Sequence, residues 1–259
     1  MVLFRGDIKS KSLQRRTSIS VILPADNIHF LDDSEEIVPK PYRTLYLLHG
    51  LYGSDEIFLA NTSIQKFAED MGVAIVIPCG DNSFYIDDED SHALYGQYVG
   101  EELLDITRNI FPLSDKREDT FIAGFSMGGY GAIINGLKYS QNFSKIGMIS
   151  AALITDDIPN FSDNHNVLYS RKFYESIFGN LDEISGSDAD PKYLIDNCSD
   201  IPELYMACGI DDPLFEKNAQ FYKFLKSKNI DATFIGDEGE HNWEFCDKYT
   251  KEFIKYFIK

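Results

Sequence analysis

The sequence predicts an α/β fold, with a mostly parallel central sheet covered by helices on both faces. Three observations carry this. The runs Thr44-Leu45-Tyr46-Leu47-Leu48 and Val73-Ala74-Ile75-Val76-Ile77 are continuously apolar rather than alternating, the pattern of strands buried on both faces. Segments of helical period separate such runs, the rhythm of strand, helix, strand. And Gly124-Phe125-Ser126-Met127-Gly128 lies between an apolar run and a helical segment, where a G-x-S-x-G motif bends the chain sharply and pushes the serine hydroxyl out at the top of a sheet.

Taken in order, Thr17 to Leu23 alternates around Ile19, Val21 and Leu23 and stops at Pro24, which predicts an early strand. The stretch 26–42, rich in Asp, Glu and Pro, reads as a solvated connection. The strand from Thr44 to Leu48 then ends at His49-Gly50, and Leu51-Tyr52-Gly53-Ser54 is a glycine-bearing turn at the carboxyl end of a central strand, where open sheets place ligands. Ser63 to Met71 puts Ile64, Phe67, Ala68 and Met71 on one face ahead of Gly72, a helix with a glycine cap. The strand from Val73 to Ile77 follows, then a polar loop from Cys79 to Ser91. Gly100 to Phe111 is a helix stopped by Pro112. Thr120 to Ala123 is the strand before the bend, and Tyr130 to Tyr139 the helix after it.

Beyond the bend, Lys145 to Ser150 is a further strand. The segment 154–197 breaks the rhythm: it is rich in Asp, Asn and Ser, with a short amphipathic piece around Phe173, Ile177 and Phe178. Its length suits a lid or binding loop, or else a plain surface excursion. Leu204 to Cys208 resumes the sheet, Leu214 to Lys228 is helical, Ala232 to Ile235 is the last strand and Asn242 to Lys259 a closing helix. There is no internal repeat or linker, so residues 1–259 read as one domain carrying the 154–197 insertion.

Composition narrows the function. A net charge of −18 would repel phosphate backbones over most of the surface, so no nucleic-acid partner is expected. No apolar run approaches the ~18 residues of a membrane span, and Met1 to Asp7 lacks the apolar core of a signal peptide. A cytoplasmic protein without a membrane partner is expected. The four cysteines, Cys79, Cys198, Cys208 and Cys246, have no zinc-ligand spacing and read as free thiols. The acidic run Asp87-Asp88-Glu89-Asp90 lacks the spacing and glycine of a calcium loop, so no metal site is expected.

A serine hydroxyl is a poor nucleophile at neutral pH; it needs a base within reach and an acid to orient that base. Chains built on this kind of bend carry them in the order Ser, acid, His. Of the five histidines, His29, His49 and His92 precede Ser126, and His165 precedes the strand that should carry the acid. That leaves His241, in the turn Gly239-Glu240-His241. For the acid, Asp211 and Asp212 compete in Gly209-Ile210-Asp211-Asp212-Pro213; Asp212 is preferred, since the second carboxylate of such a turn can point back toward the histidine. The N–H groups of Met127 and Leu51 are the expected oxyanion donors. His49 and Tyr52 are candidate substrate contacts, His49 with a structural role as the plainer reading. Trp243 is a candidate anchor of the last helix and, second to that, a pocket wall.

Taken together, His49-Gly50-Leu51-Tyr52-Gly53, Lys116-Arg117-Glu118, the stretch from Phe121 to Ala132, Cys208-Gly209-Ile210-Asp211-Asp212 and His241-Asn242-Trp243 resemble the esterase D-like group of α/β-hydrolases. The resemblance is to its bacterial tributyrin-esterase and feruloyl/acetyl-esterase branch. It implies the α/β-hydrolase fold and cofactor-free hydrolysis of short-chain acyl or aromatic carboxylic esters, with the acid at Asp212. S-formylglutathione hydrolases of the same group usually have His where this chain has Tyr130, and a Cys-Pro-Trp-Gly segment that is absent here, so thioester hydrolysis is the alternative. A non-catalytic binding protein of the same fold is the alternative of another class. The group often has an aromatic residue at Cys246, which implies a reshaped pocket edge. A small-molecule ester is the expected partner, and a homo-oligomer stays open.

Overall fold

The computed structural model describes residues 1–25 and 40–258. Most of the expected connection at 26–42, and with it His29, lies outside the described residues. Eight strands form one sheet: β1 Val2–Ser10, β2 Arg15–Leu23, β3 Thr44–Leu48, β4 Ala74–Pro78, β5 Thr120–Phe125, β6 Lys145–Ile149, β7 Glu203–Gly209 and β8 Ala232–Asp237. Their order across the sheet is β1-β2-β4-β3-β5-β6-β7-β8. β1 runs antiparallel to β2, and β2 to β4; the other neighbours are parallel. β1 has no counterpart in the sequence reading. It is an edge strand, mostly exposed, so it carries no core face for a hydrophobic pattern to reveal.

Both faces of the sheet are covered, which explains the unbroken apolar runs. In β3, Tyr46 and Leu48 belong to one core while Leu45 and Leu47 belong to the other. Helix α1 (Ile57–Asn61) and α2 (Ile64–Met71) follow β3, and α2 ends on Gly72 in the left-handed conformation at φ 63°, the expected cap. Helix α3 (Leu103–Ile110) is entered through a π-turn at Tyr98–Glu102 and a short helical piece at Tyr95–Gln97, so helical structure begins five residues before the expected Gly100. Next come α4 (Met127–Lys138), α5 (Arg171–Phe178), α6 (Pro191–Asn197), α7 (Phe215–Ser227) and α8 (Trp243–Phe257). The insertion is therefore built of α5, α6 and short 3-10 turns rather than open loop.

Register sets the site. Leu48 pairs with Gly124, Phe125 with Ile149, Ile149 with Ala207, and Gly209 with Asp237. The turns that follow β3, β5, β6, β7 and β8 therefore open on one edge of the sheet, the carboxyl edge.

Candidate active site

Ser126 stands at the N-terminus of α4 with φ 58° and ψ −118°, a region that non-glycine residues enter only under constraint. Its N–H donates to the Ile149 carbonyl at 2.9 Å, and its carbonyl accepts from Tyr130 and Ala152. The neighbouring glycines are required by contact: a Cβ on Gly128 would overlap the Leu48 carbonyl, and one on Gly124 the backbone of Gly128. Gly50 approaches from the other side, where a Cβ would sit 3.2 Å from that of Ser126.

His241 Nε2 lies 3.0 Å from Ser126 Oγ, and His241 Nδ1 lies 2.8 Å from Asp212 Oδ2. The imidazole is stacked on Phe125 with centroids 4.7 Å apart. The two turns that supply acid and base are stitched together, Ile210 N–H donating to the Asp237 carbonyl and Asp211 N–H to that of Gly239. Asp212 is buried, whereas Asp211 is exposed. Burial by itself raises the Asp212 pKa, but hydrogen bonds from His241 and the Leu214 N–H hold the carboxyl below its ordinary value. An ionised Asp212 accepts from Nδ1–H and leaves Nε2 as the lone-pair nitrogen facing the serine hydroxyl.

The N–H groups of Leu51 and Met127 meet no acceptor among the described residues. Tyr52 N–H, by contrast, is taken by Asn82 Oδ1 at 2.9 Å. His49 corrects its placing among the substrate contacts. It is completely buried and absent from the cavity lining. Its Nδ1 donates to the Gly50 carbonyl at 2.7 Å, while Nε2 accepts the Gly80 N–H at 2.8 Å. Burial lowers its pKa, so the ring is neutral. In a trans peptide the carbonyl of one residue and the N–H of the next point in opposite directions. By fixing the Gly50 carbonyl, His49 turns the Leu51 N–H the other way.

A cavity of about 630 Å³ opens over Ser126 and His241. Leu51, Tyr52 and Trp243 line it, as do Phe161, Leu168 and Tyr169 of the insertion. Trp243 lines the cavity and packs edge-on against Phe58 at 5.6 Å. Cys246 is not among the residues lining this cavity; it is fully buried, with its Sγ beside the Thr250 hydroxyl. Tyr130 is buried too, its hydroxyl donating to the Ala189 carbonyl at 2.6 Å; it fastens α4 to the insertion and does not line this cavity. Asn82, Phe161, Leu168 and Tyr169 carry no local sequence signal, because only long-range packing brings them here. Among the described residues no three His, Cys, Asp or Glu side chains cluster as metal ligands would.

This geometry can be set against known proteins. A family model described as "Putative esterase" matches residues 10–251. The chain belongs to this esterase family. An acetyl esterase of Caldicellulosiruptor saccharolyticus is 39% identical over 264 residues, covering 100% of this chain and 99% of the relative. Among solved structures, the substrate-bound fluorophosphonate-binding serine hydrolase F of Staphylococcus aureus superposes with a TM-score of 0.86 at 32% identity, covering 100% of this chain and 98% of that one. The apoenzyme of an S-formylglutathione hydrolase of the same organism gives 0.85 at 32% identity, with 100% and 99% covered. The esterase has the α/β-hydrolase fold and is a serine ester hydrolase.

Proposed function

We propose that this enzyme cleaves carboxylic esters of small acyl groups with Ser126 as nucleophile, His241 as general base and Asp212 as its orienting acid. The observation that carries the reading is the unbroken chain from Ser126 Oγ through His241 to Asp212, with contacts of 3.0 and 2.8 Å. Ser126 Oγ attacks the acyl carbon as His241 Nε2 takes its proton. The oxyanion is held by the N–H groups of Leu51 and Met127, each worth a few kcal/mol of barrier in comparable sites. His241 then returns the proton to the departing alcohol, leaving an acyl-enzyme. A water molecule, deprotonated by the same nitrogen, attacks that acyl group and frees the acid and Ser126. The 39% identity to an acetyl esterase favours acetyl as the acyl group.

The whole chain acts as one domain in this reading, with the insertion as a wall of the acyl and alcohol pocket. Its four free cysteines suit a reducing, cytoplasmic setting. Among the described residues no helix is long and apolar enough to cross a membrane.

Ser126→Ala tests the mechanism. Hydrolysis of p-nitrophenyl acetate should fall by at least about 10³-fold and covalent labelling by a fluorophosphonate should vanish, with the circular-dichroism spectrum unchanged. Retained turnover would sink it. The similarity to an S-formylglutathione hydrolase supports thioester cleavage as a second reading; the chemistry is shared, and comparing kcat/KM for S-formylglutathione and p-nitrophenyl acetate separates the two.

A further inference from the structure

Among the described residues that line the cavity, the acidic and basic side chains besides the imidazole of His241 are Asp157 and Lys217. Asp157 belongs to the insertion, just ahead of its first 3-10 turn, and Lys217 to the first turn of α7. Asp157 Oδ1 and Lys217 Nζ are 2.6 Å apart, with side chains 34% and 31% exposed. Removing two ions from most of their water into a largely apolar cavity is costly. The pair also leaves hydrogen-bonding capacity unused. Two N–H groups of Nζ and the second Asp157 oxygen meet no protein partner among the described residues, and half-buried polar groups of this kind call for a partner from solvent or ligand.

We propose that Asp157 and Lys217 form a subsite that binds a vicinal diol on the alcohol half of the ester. This rests on the esterase reading of the same cavity and deepens it. A donor beside an acceptor is neutral as a unit, so it selects neither anions nor cations. Its complement is a group that both accepts and donates, a hydroxyl, and two adjacent hydroxyls can satisfy both ions at once. A carboxylated alcohol would meet Asp157 and a protein of net charge −18, and is disfavoured. The alcohol half is indicated by position. Lys217 follows Asp212 into α7, and Pro213, Leu214 and Lys217 all line the cavity, on the side of the histidine partner; His241 is the group that protonates the leaving alcohol.

The test compares 2,3-dihydroxypropyl acetate with propyl acetate, which share the acyl group and the three-carbon skeleton. The wild-type enzyme should prefer the diol ester by about 10- to 100-fold in kcat/KM, the range set by a hydrogen bond to a charged group. The double variant Lys217→Met with Asp157→Leu should erase that ratio, chiefly through KM. Asp157→Asn, which keeps the shape of the wall, should reduce it about threefold or more, and it covers the case in which the double variant unfolds. Equal wild-type rates on the two esters would overturn the proposal. So would a ratio unchanged in the variants alongside a lowered melting temperature, since the pair would then be only a latch between insertion and α7. Absence of fluorophosphonate labelling and of any ester hydrolysis by the wild type would instead overturn the esterase reading, and the subsite with it.

Discussion

His49 does not line the cavity over Ser126, yet Gly50 and Leu51, whose peptide it holds, do. Its Nδ1–H bond to the Gly50 carbonyl fixes the plane that aims the Leu51 N–H, so its removal should act on the oxyanion and not on substrate binding. His49→Asn keeps a donor near Nδ1, and His49→Gln keeps a polar group near Nε2. In p-nitrophenyl acetate assays, Gln should lower kcat about 10- to 100-fold with little change in KM, and Asn should lower it less. Equal losses in both would assign His49 to packing alone. The ring also gives a sign for pH dependence. Folded His49 is held neutral below its ordinary range, whereas the unfolded chain takes a proton below about 6.5. The unfolded state then binds more protons, so His49 subtracts stability as pH falls from 7 toward 5. His49→Asn should show a smaller drop in melting temperature over that interval than the wild type. The residue itself was legible in the His49-Gly50 motif, but its role was not, since both its partners are backbone groups and Gly80 lies 31 positions away.

At the scale of elements, the bend at Ser126 depends on two glycines that pack against backbone. Gly128→Ala drives a methyl into the Leu48 carbonyl of β3, which cannot yield as a flexible side chain could. The expected cost exceeds the ~1–3 kcal/mol of ordinary overpacking, and the measurement is the yield of soluble protein and its melting temperature against Ala132→Gly on the same helix. A well-folded, active Gly128→Ala enzyme would refute this account of the bend. The central strands and the helices beyond them were legible because burial on both faces leaves continuous apolar runs. β1 was not, being an exposed edge, and neither was the start of helical structure at Tyr95, where the π-turn shifts the helical phase. The insertion reads as polar because its few anchors are widely spaced: Phe84 packs on Tyr174 at 5.9 Å and on Phe178 at 5.3 Å, contacts that no local periodicity encodes.

For the whole molecule the charge of −18 is the dominant long-range term. Exposed pairs such as Lys248 with Asp237 contribute only about 0–1 kcal/mol each, whereas the unmatched negative charges repel across the folded surface. Raising sodium chloride from low concentration to about 0.15 M shortens the screening length to ~8 Å and should raise the melting temperature. A fall would mean that the ion pairs outweigh the repulsion. By itself the sequence determined the α/β class, the bend at Ser126 and, through chain order, His241 and the turn holding Asp212, because each is written in a short local pattern whose neighbours agree. Only the tertiary structure decided that Asp212 and not Asp211 faces His241, that His49 holds the Gly50 carbonyl ahead of Leu51, and that Asp157 meets Lys217 in the cavity wall. Those outcomes depend on which way a side chain points and on what distant backbone lies opposite it, and packing fixes both.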